Sequence, residues 1–205
     1  MTKLDTIVFD LGGVLIDWNP KYVFRQMFDD EKEMDFFFEN VCTMSWNERQ
    51  DAGRPIKEAT DEKIAQFPDY EEYIKAYYGR WVEMLGGPID ETVELLRHLT
   101  NSKTHRILAL TNWSHETFPI ALGMYDFLHW FEGTVVSGVE KVIKPDPKIY
   151  QILFDRYNVE PSKAVFIDDS LKNVKGANAL GMHAIHFRGA DLLKKELTEK
   201  YGVLF

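Results

Sequence analysis

A chain of 205 residues fits one domain, or one core domain carrying an insertion, and its 45% hydrophobic and 14% aromatic content excludes global disorder. A net charge of -9 repels nucleic-acid phosphates and acidic membranes, so neither is an expected partner. The one cysteine, Cys42, has no partner for an intrachain disulfide and sits in no zinc-type cluster, and "MTKLDTIVFDLGG" is neither a signal peptide nor a membrane span, so a cytoplasmic location is expected.

Residues 5–11 read as a buried strand, short and β-branched, closed by Gly12-Gly13. Asn19 is the expected cap of a first helix, with Pro20 at its first position. From Lys21 to about Gly87 the apolar spacing is helical throughout, giving about four helices with turns near Asp29-Asp30, Asp51-Gly53 and Pro68-Asp69. After Gly86-Gly87-Pro88 the pattern becomes alternating. "DETVELLRHLTN" is a helix, "RILALTN" a strand, "HETFPIALGMYDF" a helix and "FEGTVVSG" a strand. "DPKIYQILFDRYNV" is a helix capped by Asp146, "KAVFIDDS" a strand, "SLKNVKGANALG" a helix from Ser170 to Gly181, and "MHAIHF" a last strand. Such alternation implies parallel βαβ units. The expected fold is α/β, a Rossmann-like doubly wound parallel sheet over residues 1–17 and 88–205, with an inserted α-helical cap at 18–87.

In open parallel sheets, ligands bind outside the carboxyl ends of the strands. Here those ends carry Asp10, Thr111-Asn112 and Asp168-Asp169, and Lys144 stands in "VIKPDP" just before a helix. Carboxylates, a hydroxyl, an amide and an ammonium at one place suit phosphoryl transfer through an enzyme carboxylate. Phosphate monoesters hydrolyse very slowly unaided, and an attacking aspartate splits the reaction into two easier steps. Magnesium, held by one or two carboxylates and the substrate phosphate, would offset the crowded negative charge.

"FDLGGVL", "LTN", "KPDP" and "FIDDS…N…GA…LGM", in this order, resemble the four motifs of the haloacid dehalogenase-like hydrolase superfamily. Within it, "DLGGV" and "TNWS" resemble the sugar-phosphate phosphatase branch, typified by glucose-1-phosphate phosphatase. The resemblance implies a Rossmann-like core with a helical cap and a Mg2+ cofactor. It implies Asp10 as nucleophile and metal ligand, and Gly12 as a metal ligand through its carbonyl. Thr111 and Asn112 would hold the phosphate, and Lys144 would neutralise charge. Asp169 would be a direct metal ligand, with Asp168 a second ligand or an orienter of metal-bound water. Asn173 would bond back into the site. One departure stands out: many family phosphatases carry a second aspartate two residues after the nucleophile, as general acid, and here that position is Gly12. A good leaving group, an acid from the cap (Glu48 or Asp51), or a weak activity would accommodate this.

Each residue also has a plainer reading. Asp10 would serve as a turn residue, Asp168-Asp169 as a capped turn, Lys144 as a solvated side chain and Thr111 as an ordinary strand-end hydroxyl. The ordered set favours chemistry at all four. In "SWNERQDAG" the choice is even between a solvated helix end and a cap face on which Trp46 stacks on a sugar and Arg49 or Glu48 binds hydroxyls. Trp113 and Trp18 read first as packing, and His115 as solvent-facing. The expected function is a magnesium-dependent phosphatase for a small phosphorylated metabolite, a sugar phosphate by preference, acting through an aspartyl-phosphate as a monomer or weak homodimer. The rivals are a haloacid dehalogenase, a mutase or phosphotransferase, and a non-catalytic phosphate-binding protein.

Overall fold

The computed structural model describes residues 4–205. Its central sheet has five parallel strands in the order β5-β4-β1-β6-β7: β1 (Thr6–Phe9), β4 (Arg106–Thr111), β5 (Gly133–Val136), β6 (Ala164–Asp168) and β7 (His183–His186). In β1 the side chains alternate between two cores. Ile7 and Phe9 join the larger one, with Val165, Ile167 and Ala109, and Val8 joins the smaller, with Phe166, Leu108 and Leu110. Burial on both faces is why the strand sequences are continuous apolar runs.

The expected first strand stops two residues early. After Phe9 the chain leaves the sheet, and the Leu11 carbonyl accepts from the backbone N–H groups of Leu15 and Ile16 at 2.8 and 3.0 Å. Only one of the paired glycines is conformationally required. Gly13 has φ +71°, and a Cβ there would lie 2.4 Å from Asp169 Oδ2, whereas a Cβ on Gly12 would meet nothing within 4 Å. Two short strands were missed by pattern: β2 (Ile16–Trp18) and β3 (Leu85–Pro88) form an antiparallel ribbon where the chain leaves and re-enters the α/β part. Three residues are too few for alternation to register, and the glycines of β3 carry no propensity for a strand.

Between the ribbon strands lie α1 (Lys21–Phe24), α2 (Glu31–Phe36) with a π-turn over Phe37–Val41, α3 (Met44–Asp51), α4 (Ile56–Gln66) and α5 (Glu71–Gly79). The helical expectation holds, with five helices in place of about four. Asn19 does cap α1, its Oδ1 accepting from Lys21 N at 2.9 Å. The segment has an aromatic interior, in which Phe28 stacks on Tyr73 at 4.1 Å and Phe24 packs on Phe37 at 4.9 Å. Such pairs contribute about 0.5–1.5 kcal/mol each beyond area burial. Cys42 is buried here, which pushes its thiol pKa up and makes it inert.

The remaining helices cover the sheet: α6 (Asp90–Ser102), α7 (Phe118–Met124), α8 (Ser137–Glu140), α9 (Pro147–Tyr157), α10 (Leu171–Ala179) and α11 (Ala190–Tyr201). Asp146 caps α9 through Lys148 N at 2.8 Å, and Gly181, at φ +80°, ends the turn after α10, both as expected. Ser170 precedes α10 but makes no capping bond with its side chain. Among the described residues no helix is long and apolar enough to cross a membrane.

The helical segment meets the sheet at a close backbone seam. Ser137 Oγ donates to the Asp51 carbonyl at 2.6 Å and accepts from Trp113 N at 2.9 Å. A Cβ on Gly53, at φ +92°, would lie 2.8 Å from the Gly138 carbonyl, and one on Gly138 would lie 2.4 Å from His115 N. Gly138→Ala therefore forces backbone apart, and chemical denaturation should report a loss of about 1–3 kcal/mol. An unchanged midpoint would show that the seam yields freely.

Candidate active site

The sheet order sets β1 between β4 and β6, so Asp10, Thr111 and Asp168 emerge side by side at the carboxyl edge. Asp10 N donates to the Ile167 carbonyl at 2.8 Å, which holds the start of the loop against the end of β6. Lys144 lies beneath them with no exposed surface. Its Nζ donates to Asp10 Oδ1 at 2.8 Å, Asp168 Oδ2 at 2.8 Å and the Leu110 carbonyl at 2.9 Å. All three ammonium protons thus have acceptors, and Phe166 closes the remaining side, its ring centre 5.2 Å away.

Each carboxylate is differently loaded. Asp10 Oδ1 takes the Lys144 bond and one from Leu11 N at 2.8 Å, which leaves Oδ2 as the less encumbered oxygen. Asp168 is fully buried and saturated: Ser170 N at 2.7 Å on Oδ1, Lys144 on Oδ2, and Asn173 Nδ2 at 3.1 Å from both. Asp169 is exposed at the cavity rim, and its carbonyl oxygen is held by His186 Nε2 at 2.9 Å. One oxygen from each of the three aspartates lies within 4.8 Å of the others.

Three carboxylates against one ammonium leave two excess negative charges in a partly dry site. Burial, with the neighbouring Asp168 charge, pushes the Asp10 carboxyl well above the usual carboxylate range, against the pull of Lys144. Burial and Asp168 raise Asp169 as well. For Lys144, burial would lower the pKa, but Asp10 and Asp168 outweigh it and keep the amine charged. A clustered, oxygen-only donor set short of two positive charges fits a hard divalent cation. Thr111 Oγ1 adds a second vacancy of partners: it is buried at the same edge and bonds to no protein group.

Above this edge is a cavity of about 370 Å³. Its floor includes Asp10, Gly12, Asn112 and Asp169, and its wall Trp18, Trp81, Trp113 and Tyr78. The helical segment adds Met44, Asn47, Glu48 and Asp51 from α3. Asn47 bridges two of the wall's polar groups, accepting from Tyr78 Oη at 2.9 Å and donating to Asp51 Oδ2 at 3.1 Å. Glu48 reaches across to Lys172 on α10 at 2.7 Å. Burial and the Glu48 charge push the Asp51 carboxyl up to about 7, against the Ser114 backbone N–H and Lys144.

Asp10, Lys144, Thr111, Gly12, Asp168 and Asp169 are brought to one edge, but three expected residues fall differently. Trp46 is 1% exposed, packed on Tyr77 with ring centres 5.2 Å apart, and does not line the cavity, so it offers no face to a sugar. Arg49 is exposed and also outside the cavity lining. Asn112 lines the cavity, yet its amide is committed to Lys144: Oδ1 accepts from Lys144 N at 2.8 Å and Nδ2 donates to Lys144 O at 3.1 Å. These two bonds place the backbone of Lys144. Of the wall residues, Asp51 and Glu48 were the acids expected from the cap, and the i, i+4 spacing of Asn47 to Asp51 carries a signal for Asn47, whereas Tyr78, Trp81 and Lys172 have none.

Comparison with known proteins agrees with this geometry. The chain is 23% identical to the sesquiterpene phosphatase astK of Aspergillus oryzae, over 98% of each protein. It is 26% identical to a phosphorylated carbohydrates phosphatase of Thermotoga maritima, over 89% of this chain and 84% of that one. A shorter stretch of 72 residues is 39% identical to acyl-CoA dehydrogenase family member 10 of Mus musculus, of whose length the chain spans only 7%. In fold it is similar to the HAD family enzyme bt-2542 of Bacteroides thetaiotaomicron, solved with magnesium and inorganic phosphate, at TM-score 0.68 and 22% identity, covering 90% of this chain and 94% of that one. The family model described as haloacid dehalogenase-like hydrolase matches residues 4–181, from the strand before Asp10 to the end of the helix after Asp169, and the chain belongs to that family.

Proposed function

We propose that this chain is a magnesium-dependent phosphomonoesterase that works through an aspartyl-phosphate on Asp10. The observation that carries the reading is the Lys144 ammonium bonded at 2.8 Å to both Asp10 and Asp168, with Asp169 beside them. Magnesium, held by Asp10, Asp169 and the Gly12 carbonyl, would supply the missing positive charge and draw the phosphate oxygens into place. Asp168, whose oxygens are already taken, acts on the site by fixing Lys144 and the start of α10.

Asp10 attacks phosphorus and the bond to the leaving oxygen breaks. Lys144 stays bonded to Asp10 throughout, which keeps the nucleophile oriented and offsets charge on the transferring phosphoryl group. Thr111 Oγ1, with no protein acceptor, donates to a phosphate oxygen. Residues 18–87 act as the cap, and the ribbon of β2 and β3 is its hinge. With the cap seated on the seam at Ser137, bulk water is kept from the first step.

The wall selects the alcohol. Trp18, Trp81 and Trp113 replace Trp46 as the aromatic faces, and they suit the C–H face of a sugar ring, in keeping with the sequence expectation. The same rings favour a second reading, the phosphate of a largely apolar alcohol, which the relative that acts as a sesquiterpene phosphatase supports. Phosphate release from a panel of sugar, alkyl and prenyl phosphates, with magnesium and with chelator, decides between them. Release should require magnesium, and metal-independent halide release from a haloacid would overturn the proposal.

Two substitutions test the mechanism. Asp10→Asn should cut turnover by roughly 10⁴-fold or more, because an amide does not attack phosphorus. The fold should hold and thermal unfolding should not fall, since one of two like charges around Lys144 is removed. A retained rate would sink the nucleophile assignment. Lys144→Ala should slow turnover and also destabilise the magnesium-free protein by about 3–5 kcal/mol, because Asp10 and Asp168 are left buried without a cation. Magnesium should recover part of that loss, and a variant with unchanged stability and rate would demote Lys144.

A further inference from the structure

The phosphatase reading leaves the leaving oxygen without a proton donor, because position 12 has no side chain. We propose that Asp51, delivered by the cap, is the acid that protonates the leaving oxygen and then the base that activates water. This inference rests on the phosphatase reading and adds a catalytic residue to it.

The geometry separates Asp51 from its neighbour on the same helix. Both Asp51 and Glu48 line the cavity with Asp10. Glu48 is tied to Lys172 at 2.7 Å, a cation on α10 that occupies its carboxylate. Among the described residues no cationic side chain forms an ion pair with Asp51, whose side-chain partner is the neutral amide of Asn47. Asn47 is held in turn by the Tyr78 hydroxyl at 2.9 Å, so the carboxyl is fixed without being neutralised. Its backbone is pinned as well: the Asp51 carbonyl accepts from Ser137 Oγ at 2.6 Å, and Ser137 opens α8 directly after β5 of the central sheet. The acid therefore belongs to the cap by sequence and to the core by hydrogen bonding.

Position 12 itself is open, with no atom within 4 Å of where a Cβ would stand. A substrate alcohol can thus pass over Gly12 toward α3, where a side chain there would block it. The charged and titratable groups facing Asp51 are Glu48 on its own helix, Lys144 from the core, and Tyr77 and Tyr78 from α5. Burial and Glu48 together keep its carboxyl protonated to about pH 7, a range in which an acid both gives and retrieves a proton.

The steps balance. In the first, Asp10 forms a bond to phosphorus, the bond to the leaving oxygen breaks, and the Asp51 proton passes to that oxygen to give a neutral alcohol and an Asp51 carboxylate. In the second, the Asp51 carboxylate takes a proton from water as the water oxygen bonds to phosphorus. The phosphorus bond to Asp10 breaks, phosphate leaves, and both groups are restored.

The test uses the full chain with magnesium and phosphate esters whose alcohols differ in acidity, from p-nitrophenyl phosphate to a primary alkyl phosphate. Asp51→Asn keeps the acceptor for Asn47. It should lose about 10²–10⁴-fold in kcat/KM, which reads the step that expels the alcohol, on the alkyl ester and less than about tenfold in kcat/KM on the p-nitrophenyl ester. The wild-type alkyl profile should fall as pH rises through about 7, where the acid form is lost, and that limb should vanish in Asp51→Asn. Asp51→Glu should recover part of the alkyl rate and the limb. Equal losses on both esters would reduce Asp51 to a structural role, and no loss on either would remove it; both overturn the proposal. Wild-type protein that turns over neither ester overturns the phosphatase reading and this inference with it, so the two failures are told apart by the wild-type rate alone.

Discussion

One buried ammonium organises this molecule. Lys144 has no exposed surface, and its three protons go to a carbonyl of β4 and to carboxylates at the ends of β1 and β6. A buried charge is tolerated only when paired and fully bonded. That demand fixes its neighbours. β1 must lie between β4 and β6, the Asn112 amide must clasp the lysine's backbone at both its N–H and its carbonyl, and Asn173 must brace Asp168 from the following helix. The pairing is also incomplete in charge, since Asp169 stands nearby without a cation of its own. The protein satisfies the lysine and leaves the carboxylates short of positive charge.

The two parts of the chain divide the work. The sheet edge supplies charge: aspartates, the lysine and a hydroxyl, all on strand ends or in loops braced by backbone bonds. The helical segment supplies two carboxylates, Glu48 and Asp51, and much of the shape, through one face of α3 and the rings that stand at or near the ribbon. The charged cluster thus rests on rigid elements, while the cavity wall rests largely on the part joined to the core by two strand crossings and a seam.

Most of the core was legible in the sequence, and the reason is period. Strands buried on both faces read as short apolar runs, and each ended on a polar residue that the parallel topology then gathered at one edge. What the sequence left open was direction. In α3 the pattern does not say which stripe faces inward. The structure turns Trp46 and Gln50 to the interior, Asn47 and Asp51 to the cavity, and Arg49 to solvent. The aromatic that looked like a sugar platform is needed as core because the segment's interior is built from rings. Asn112 misled in another way: a strand-end amide next to a phosphate-type hydroxyl looks like a ligand, and only the return of the chain at Lys144, 32 residues later, reveals its partner. The final helix α11 carries no motif and was not read at all.

Three of the five tryptophans, Trp18, Trp81 and Trp113, stand around the cavity that also holds the aspartates. Trp81 and Trp113 are in edge contact, with ring centres 5.7 Å apart, so their indoles share one environment. The intrinsic emission of this protein is therefore weighted toward the candidate site. Filling the cavity displaces water from indole faces and changes the polarity they sense, so occupancy is readable as a spectral shift without any added label.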